Sequence, residues 1–329
     1  MDITIDPAQL SRCRLWILIP AAGDRIHATF AACLIKLLGT LRVHGVWYEL
    51  RFLPGDSLVT RARNNLADIF LSQSSSPDTD FSLWLDCDIL FNPDDVLQLL
   101  ALDRDFLAAP YTRKGLHWDR IIAASQLGWT AAQISAVSGT PNVNWIANPV
   151  RIFEPMPVLE AGSGFWLVKR KVFQHLIDFG AAPRYRRTVD ETAHYGRDFA
   201  HDFFRVGVWP ETSEYLSEDW WFCREWRRLG GTLYCCFWMK TQHLGLYPFQ
   251  MDMTAISALL SATGGYINGE TQPGKQRSNG DARPGGEHST ITDANRNGDG
   301  AAGLSALLQS LAVPPHEAAV PRDPGPLGD

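Results

Sequence analysis

Residues 81–90 read Phe-Ser-Leu-Trp-Leu-Asp-Cys-Asp-Ile-Leu, an apolar run that ends on two carboxylates, Asp86 and Asp88. A short apolar run between turn signals predicts a buried strand. The polar loop SSSPDTD before it and Asn92-Pro93 after it supply those signals. On a strand, residues i and i+2 point the same way, so Asp86 and Asp88 are expected to face one site at the carboxyl edge of a sheet. Two carboxylates are costly there unless a cation or hydrogen bonds offset their repulsion. The plain alternative is a solvated, acidic strand end. The chemical one is a hard divalent ion, Mn²⁺ or Mg²⁺, that also holds substrate phosphates.

Upstream, RLWILIPAA at 14–22 predicts another buried strand, 27–39 a helix, and VWYELRFL at 46–53 a second strand closed by the turn Pro54-Gly55-Asp56. Residues 57–73 follow as an amphipathic helix. Leu58, Ala62, Leu66 and Ile69 share one face, and Arg61, Asn65 and Asp68 another. Downstream, Asn92-Pro93 opens a helix with Asp94 and Asp95 in its first turn, and DFLAAPYT predicts one more strand. Such alternation predicts an α/β fold, a mostly parallel central sheet flanked by helices. The stretch 115–157 has no sustained period and reads as irregular, and 181–216 as loop-rich and aromatic. Between them LEAGSGFWLVKRKVFQHLIDFG gives a strand and a helix. SEDWWFCREWRRLGG then predicts a helix ending at Gly230, and TLYCCFWMK a last strand.

Gly, Asn, Ser and Pro replace the apolar periodicity from about Gly264 onward. The expected organisation is one domain over 1–266 and a low-complexity, disordered tail over 267–329. Within that tail, Asp293–Asp299 matches the start of a calcium-binding EF-hand loop, but its twelfth position is Leu304 rather than Glu, and the match is rejected.

Composition narrows the function classes. With 329 residues, 45% of them hydrophobic, the chain can bury a sizeable core. A net charge of −6 argues against a nucleic-acid partner, which needs a basic face. No apolar stretch approaches a membrane span, and the first residues lack the basic-then-apolar order of a signal peptide, so a cytoplasmic location is expected. The six cysteines show no CxxC spacing, which argues against a zinc knuckle. Twelve Trp and 16 Phe suit a cleft that grips rings or sugars as well as a core.

Three further clusters have both a structural and a chemical reading. Glu218 and Asp219, in Ser217-Glu218-Asp219-Trp220-Trp221, complement a helix dipole or supply a general base against an aromatic wall. His243, in KTQHLG, is a structural histidine or a metal ligand. Arg61, Arg63 and Asn64 form a solvated helix face or hold phosphate groups.

Taken in order, these pieces resemble GT-A-type glycosyltransferases, most closely family-two-like enzymes that use nucleotide-sugar donors. The matching segments are LWILIPAAG, SLVTRARNNLADIFL, the DxD segment LWLDCDILFNPDDV, APYTRKG, EAGSGFWLVKRKVF, SEDWWFCREWRRLGG and HLG, over roughly 14–250. The resemblance implies a GT-A (Rossmann-like) domain over 1–266 that moves a sugar, hexosyl or deoxyhexosyl, from a nucleotide-sugar donor to a glycan or other hydroxyl acceptor, with inversion. It implies that Pro20 and Ala21 line the base and ribose pocket and that Arg63 and Asn64 steady the nucleotide. Asp88 and His243 would ligate Mn²⁺ or Mg²⁺, with Asp86 touching the ribose or, indirectly, the metal. Gly162, Ser163 and Gly164 would admit the donor sugar, Asp219 would act as base, its pKa raised by the neighbouring tryptophans, and Glu218 would orient the acceptor. Two rival readings differ in class. A haloacid-dehalogenase-type phosphohydrolase also uses a strand-borne DxD, but places it early in the fold. A non-catalytic sugar- or nucleotide-binding module would not need the acidic groups present here.

Overall fold

The computed structural model describes residues 3–23, 25–145 and 151–263. The tail expected over 267–329, with its calcium-loop match, lies outside the described residues.

A mixed eight-stranded sheet runs through the domain in the order Trp47–Pro54, Arg14–Ala21, Asp80–Leu85, Phe165–Lys169, Phe106–Ala108, Leu233–Cys235, Met156–Ala161 and Val143–Trp145. Six of these strands share one direction. Phe165–Lys169 and Met156–Ala161 run against the others. The mostly parallel sheet expected from strand–helix alternation is present, with the glycine-rich segment returning antiparallel through its middle.

Side-chain alternation builds a core on each face. Leu15, Ile17 and Ile19 point to the side covered by helices Ala28–Val43 and Pro93–Leu102, where they meet Phe30, Leu34 and Val96. Trp16, Leu18, Trp84 and Trp166 point to the other side, against helices Val59–Gln73, Arg170–Asp178 and Glu218–Arg228 through Leu66, Phe70, Phe173 and Phe222. Each such side chain contributes about 1.5–3 kcal/mol when fully buried. Most of the aromatic surplus is core.

One stretch differs from its sequence reading. Within 115–157 lie helices Trp118–Gln126 and Ala131–Val137 and strands Gly139–Pro141 and Val143–Trp145. They are too short to build a visible period, although the Thr130–Gln133 capping box marked the second helix. The last helix among the described residues, Met253–Ala262, which the sequence reading did not include, is capped by Asp252 and packs on that pair. No helix among the described residues is long and apolar enough to cross a membrane.

Asp95 carries a testable cost. It starts the Pro93–Leu102 helix but is buried, and desolvation, then the charge of Asp94, raises its pKa from 3.8 to about 6. Folding therefore favours its protonated form, whose contribution is complete below 3.8 and lost as pH rises through about 6. Asp95→Asn should raise unfolding free energy at pH 7.5 by about 1–3 kcal/mol, the gap between the two values less what the helix N-terminus returns. By pH 4 most of that gain should vanish in denaturant melts. An equal gain at both pH values would refute the assignment.

Candidate functional site

The strand expected over the apolar run 81–90 ends at Leu85, and the chain is extended again only at Ile89–Leu90, in another sheet. Asp86, Cys87 and Asp88 form a turn closed by the Ile89 amide donating to the Asp86 carbonyl at 3.1 Å. The two carboxylates therefore do not share one strand face, as i,i+2 spacing predicts. The turn separates them and gives each its own cation. This is the physical resolution of their repulsion.

Asp86 belongs to Arg63. The guanidinium is buried and its Nη2 donates to Asp86 Oδ1 at 2.7 Å, while Nη1 reaches the Ser163 carbonyl at 3.4 Å. Its Nε lies 3.6 Å from Glu218 Oε1 and has no hydrogen-bond partner among the described residues. One arginine thus gathers the helix 59–73, the turn after Leu85, the Gly162–Gly164 loop and the start of helix Glu218–Arg228. The solvated helix face considered for Arg63 and Asn64 is absent, since both are buried. Asn64 points elsewhere, donating to Asp202 at 2.8 Å and accepting from the Phe204 amide at 2.9 Å. Its amide fixes the 202–204 loop. Arg61 pairs with Asp56 at 2.8 Å.

The glycines have a local reason. A Cβ on Gly162 would run into the Asn142 amide and the Tyr111 hydroxyl, and one on Gly164 would meet Tyr111 Cζ at 3.0 Å and Asp86 Oδ2 at 3.1 Å. Tyr111, which sequence reasoning did not single out, fills that space and accepts from Asn142 Nδ2 at 3.0 Å and the Gly164 amide at 3.3 Å. Burial, then the charges of Asp86 and Asp219, push its phenol far above the ordinary range, so it stays protonated. Pro20 and Ala21 end their strand at this same edge. Leu18 pairs with Trp84 on the neighbouring strand, which sets Pro20 level with Asp86 two residues on.

Asp88 sits in a second cluster. A small sheet pairs Ile89–Leu90 with Gln242–His243, and the Leu244 amide donates to the Asp88 carbonyl at 2.7 Å. This brings His243 Nε2 to 3.3 Å from Asp88 Oδ2, the same oxygen that Lys114 Nζ reaches at 2.6 Å. Burial alone would raise the Asp88 carboxyl, but hydrogen bonds from His243 and Lys114 win and hold it down to about 2. His243 Nδ1 lies 2.7 Å from the Thr112 carbonyl, which can only accept, so that nitrogen carries a proton. That bond fixes the ring with Nε2, its other nitrogen, turned toward Asp88. Sequence reasoning missed Lys114, although it lies in the APYTRKG segment.

Ser217, Glu218, Asp219 and Trp220 line an open cavity of about 600 Å³, with Arg113 and Asn142. Asp219 Oδ1 accepts from the Ser217 hydroxyl and from the Trp220 amide at 2.8 Å, which leaves Oδ2 without a partner among the described residues. Burial, then the charge of Asp219, raises the pKa of Glu218, with Arg63 opposing. Only half of the expected aromatic wall faces the cavity. Trp220 lines it, whereas Trp221 is buried against Trp209 at 5.1 Å and under Arg205.

No group of three or more His, Cys, Asp or Glu side chains that could enclose a metal occurs among the described residues. Asp88 and His243 do fit a cation completed from outside the protein. They offer an oxygen and a nitrogen 3.3 Å apart, and Mg²⁺-type ions commonly take one or two protein ligands plus water and substrate phosphate.

No family model matches the sequence, and no curated protein does. Among solved structures, A197 from STIV is 15% identical with a TM-score of 0.37, covering 71% of this chain and 86% of that one. A putative glucose-1-phosphate thymidylyltransferase from Bacillus anthracis, solved in complex with a sucrose, is 12% identical with a TM-score of 0.28, covering 79% of this chain and 98% of that one. Likenesses of that strength carry no function across.

Proposed function

We propose that the protein is a GT-A-type glycosyltransferase that moves a sugar from a nucleotide-sugar donor to an acceptor hydroxyl with inversion. The observation that carries this reading is the meeting of the DxD turn, the Gly162–Gly164 loop and the acidic start of helix Glu218–Arg228 around buried Arg63. These segments are far apart in sequence, and each has a place in the resemblance. The site lies at the carboxyl edge of the parallel strands, where open α/β sheets take ligands.

In this reading Asp88 and His243 hold Mn²⁺ or Mg²⁺. When bound, such an ion neutralises negative charge on the leaving diphosphate. Arg63 holds Asp86 on the nucleotide side, where Pro20 and Ala21 form the floor. Asp219 Oδ2 takes the proton from the acceptor hydroxyl as its oxygen attacks the anomeric carbon. Ser217 and the Trp220 amide hold the other oxygen and fix the carboxylate. Glu218, at the adjoining position, orients the acceptor, and Trp220 offers a face for a sugar ring.

A panel of nucleotide sugars tested for thermal stabilisation, with Mn²⁺ or Mg²⁺ and with excess chelator, checks the proposal. One donor should raise the melting temperature in the presence of metal by several degrees, as expected for a ligand at about 100 times its Kd. Asp88→Ala should fold but lose the metal-dependent part of that shift. Stabilisation that is indifferent to both chelator and Asp88→Ala would exclude the metal.

A further inference from the structure

Lys114 occupies a singular place in this site. Its Nζ lies 2.6 Å from Asp88 Oδ2, the same oxygen that faces His243 Nε2 at 3.3 Å. The contact is built, not incidental. Lys114 follows Thr112 by two residues on strand Thr112–Leu116, and the Thr112 carbonyl is the group that fixes the His243 ring at 2.7 Å. The aliphatic stem passes Gly245, where a Cβ would already sit 3.5 Å from Lys114 Cδ. Its neighbour Arg113, in contrast, makes no hydrogen bond or ion pair among the described residues and lines the cavity.

Lys114 and His243 thus converge on one oxygen of a partly buried carboxylate, and the ammonium is the nearer of the two. A partly buried carboxylate is costly unless a cation sits beside it. The Lys114 ammonium supplies the charge. We propose that Lys114 is a built-in counter-cation that a divalent ion must displace from Asp88, so that the metal enters together with the donor diphosphate and not before it. The proposal rests on the metal site described above. The displaced ammonium is tethered beside the metal position and half-exposed on a flexible stem, so the diphosphate is the anion within its reach. A diphosphate that accepts the ammonium lowers the cost of its displacement, and linkage makes this reciprocal: nucleotide tightens metal, and metal tightens nucleotide.

The experiment measures Mn²⁺ binding by calorimetry and by the loss of the free Mn²⁺ electron-spin signal, with no turnover involved. The proteins are wild type, Lys114→Met, Asp88→Asn and the double variant, each alone and with UDP or GDP as the diphosphate probe. Lys114 is half-exposed, so its replacement should leave the fold intact, which the melting curve verifies. Without nucleotide, Lys114→Met should bind Mn²⁺ roughly five- to fifty-fold more tightly than wild type. Asp88→Asn should cancel that gain, and the tightening of Mn²⁺ by diphosphate should be smaller in Lys114→Met than in wild type. Equal or weaker Mn²⁺ binding by Lys114→Met, in a protein whose Asp88 still matters, would overturn the lysine's role and leave the metal site standing. Loss of all Asp88-dependent Mn²⁺ binding, with or without diphosphate, in both wild type and Lys114→Met would overturn the two together.

Discussion

Asp219→Asn should lower kcat by about 10²–10⁴-fold, the usual contribution of a general base, with nucleotide-sugar affinity nearly unchanged. The substitution keeps shape and volume. The amide oxygen can still accept from the Ser217 hydroxyl and the Trp220 amide, so the start of the helix should survive. What is lost is the second oxygen as a proton acceptor. In the proposed function the donor is held on the other side, around Arg63, Asp86 and Asp88, which is why its affinity should not follow. Glu218→Gln separates the two neighbouring carboxylates. Adjacent helical residues point about 100° apart, and Glu218 is tied to Arg63 at 3.6 Å. This variant should raise acceptor KM with a smaller fall in kcat. A dead Glu218→Gln beside a near-normal Asp219→Asn would exchange the roles. Two near-normal variants would remove the inverting base from the mechanism.

Arg63→Met should destabilise the protein by about 3–5 kcal/mol near pH 8, as expected when one partner of a buried ion pair is removed. Methionine fills much of the volume but leaves Asp86 and Glu218 without the charge that separates them. The pH dependence distinguishes this from simple loss of packing. Glu218 already has its pKa raised by burial and by Asp219, and Arg63 is what opposes that. Without Arg63 it should rise further. A carboxyl with a raised folded value contributes most when protonated and loses that contribution as pH rises through the folded value. The cost of Arg63→Met should therefore shrink between pH 8 and pH 5 in denaturant melts. A penalty independent of pH would mean that the guanidinium acts only as a packed side chain.

Much of the central architecture was legible because its signals are local. The strands 14–21, 47–54 and 80–85 are apolar runs with turn residues at their ends, and the helices after them carry a clear face. Three things were not legible. The i,i+2 argument for Asp86 and Asp88 presumed that the strand continued, whereas the backbone turns at Asp86. Periodicity cannot register a strand that stops one residue before the carboxylate of interest. The helices in 115–157 are only two turns or so long. The partners that define each carboxylate are the third: Lys114, Tyr111 and Asn142 are set by pairings across the sheet. Nothing in the residues around position 111 announces that a phenol will fill the space above Gly162. Arg63 and Glu218 were legible as candidates, and their meeting followed from the fold.

The pairing of Ile89–Leu90 with Gln242–His243 has a consequence for how the protein is made. Asp88 leaves the ribosome long before His243 does, and at about 5–20 residues per second the interval is on the order of ten to thirty seconds. Throughout it the short Ile89–Leu90 segment has no strand to join, while the sheet strands 14–21, 47–54 and 80–85 can already pair with one another. Completion of the Asp88 cluster is thus tied to near-completion of the domain during synthesis. A nascent chain stalled before Gln242 would carry a folded-in-part sheet with its acidic turn open, and a chain released just past that point would close it.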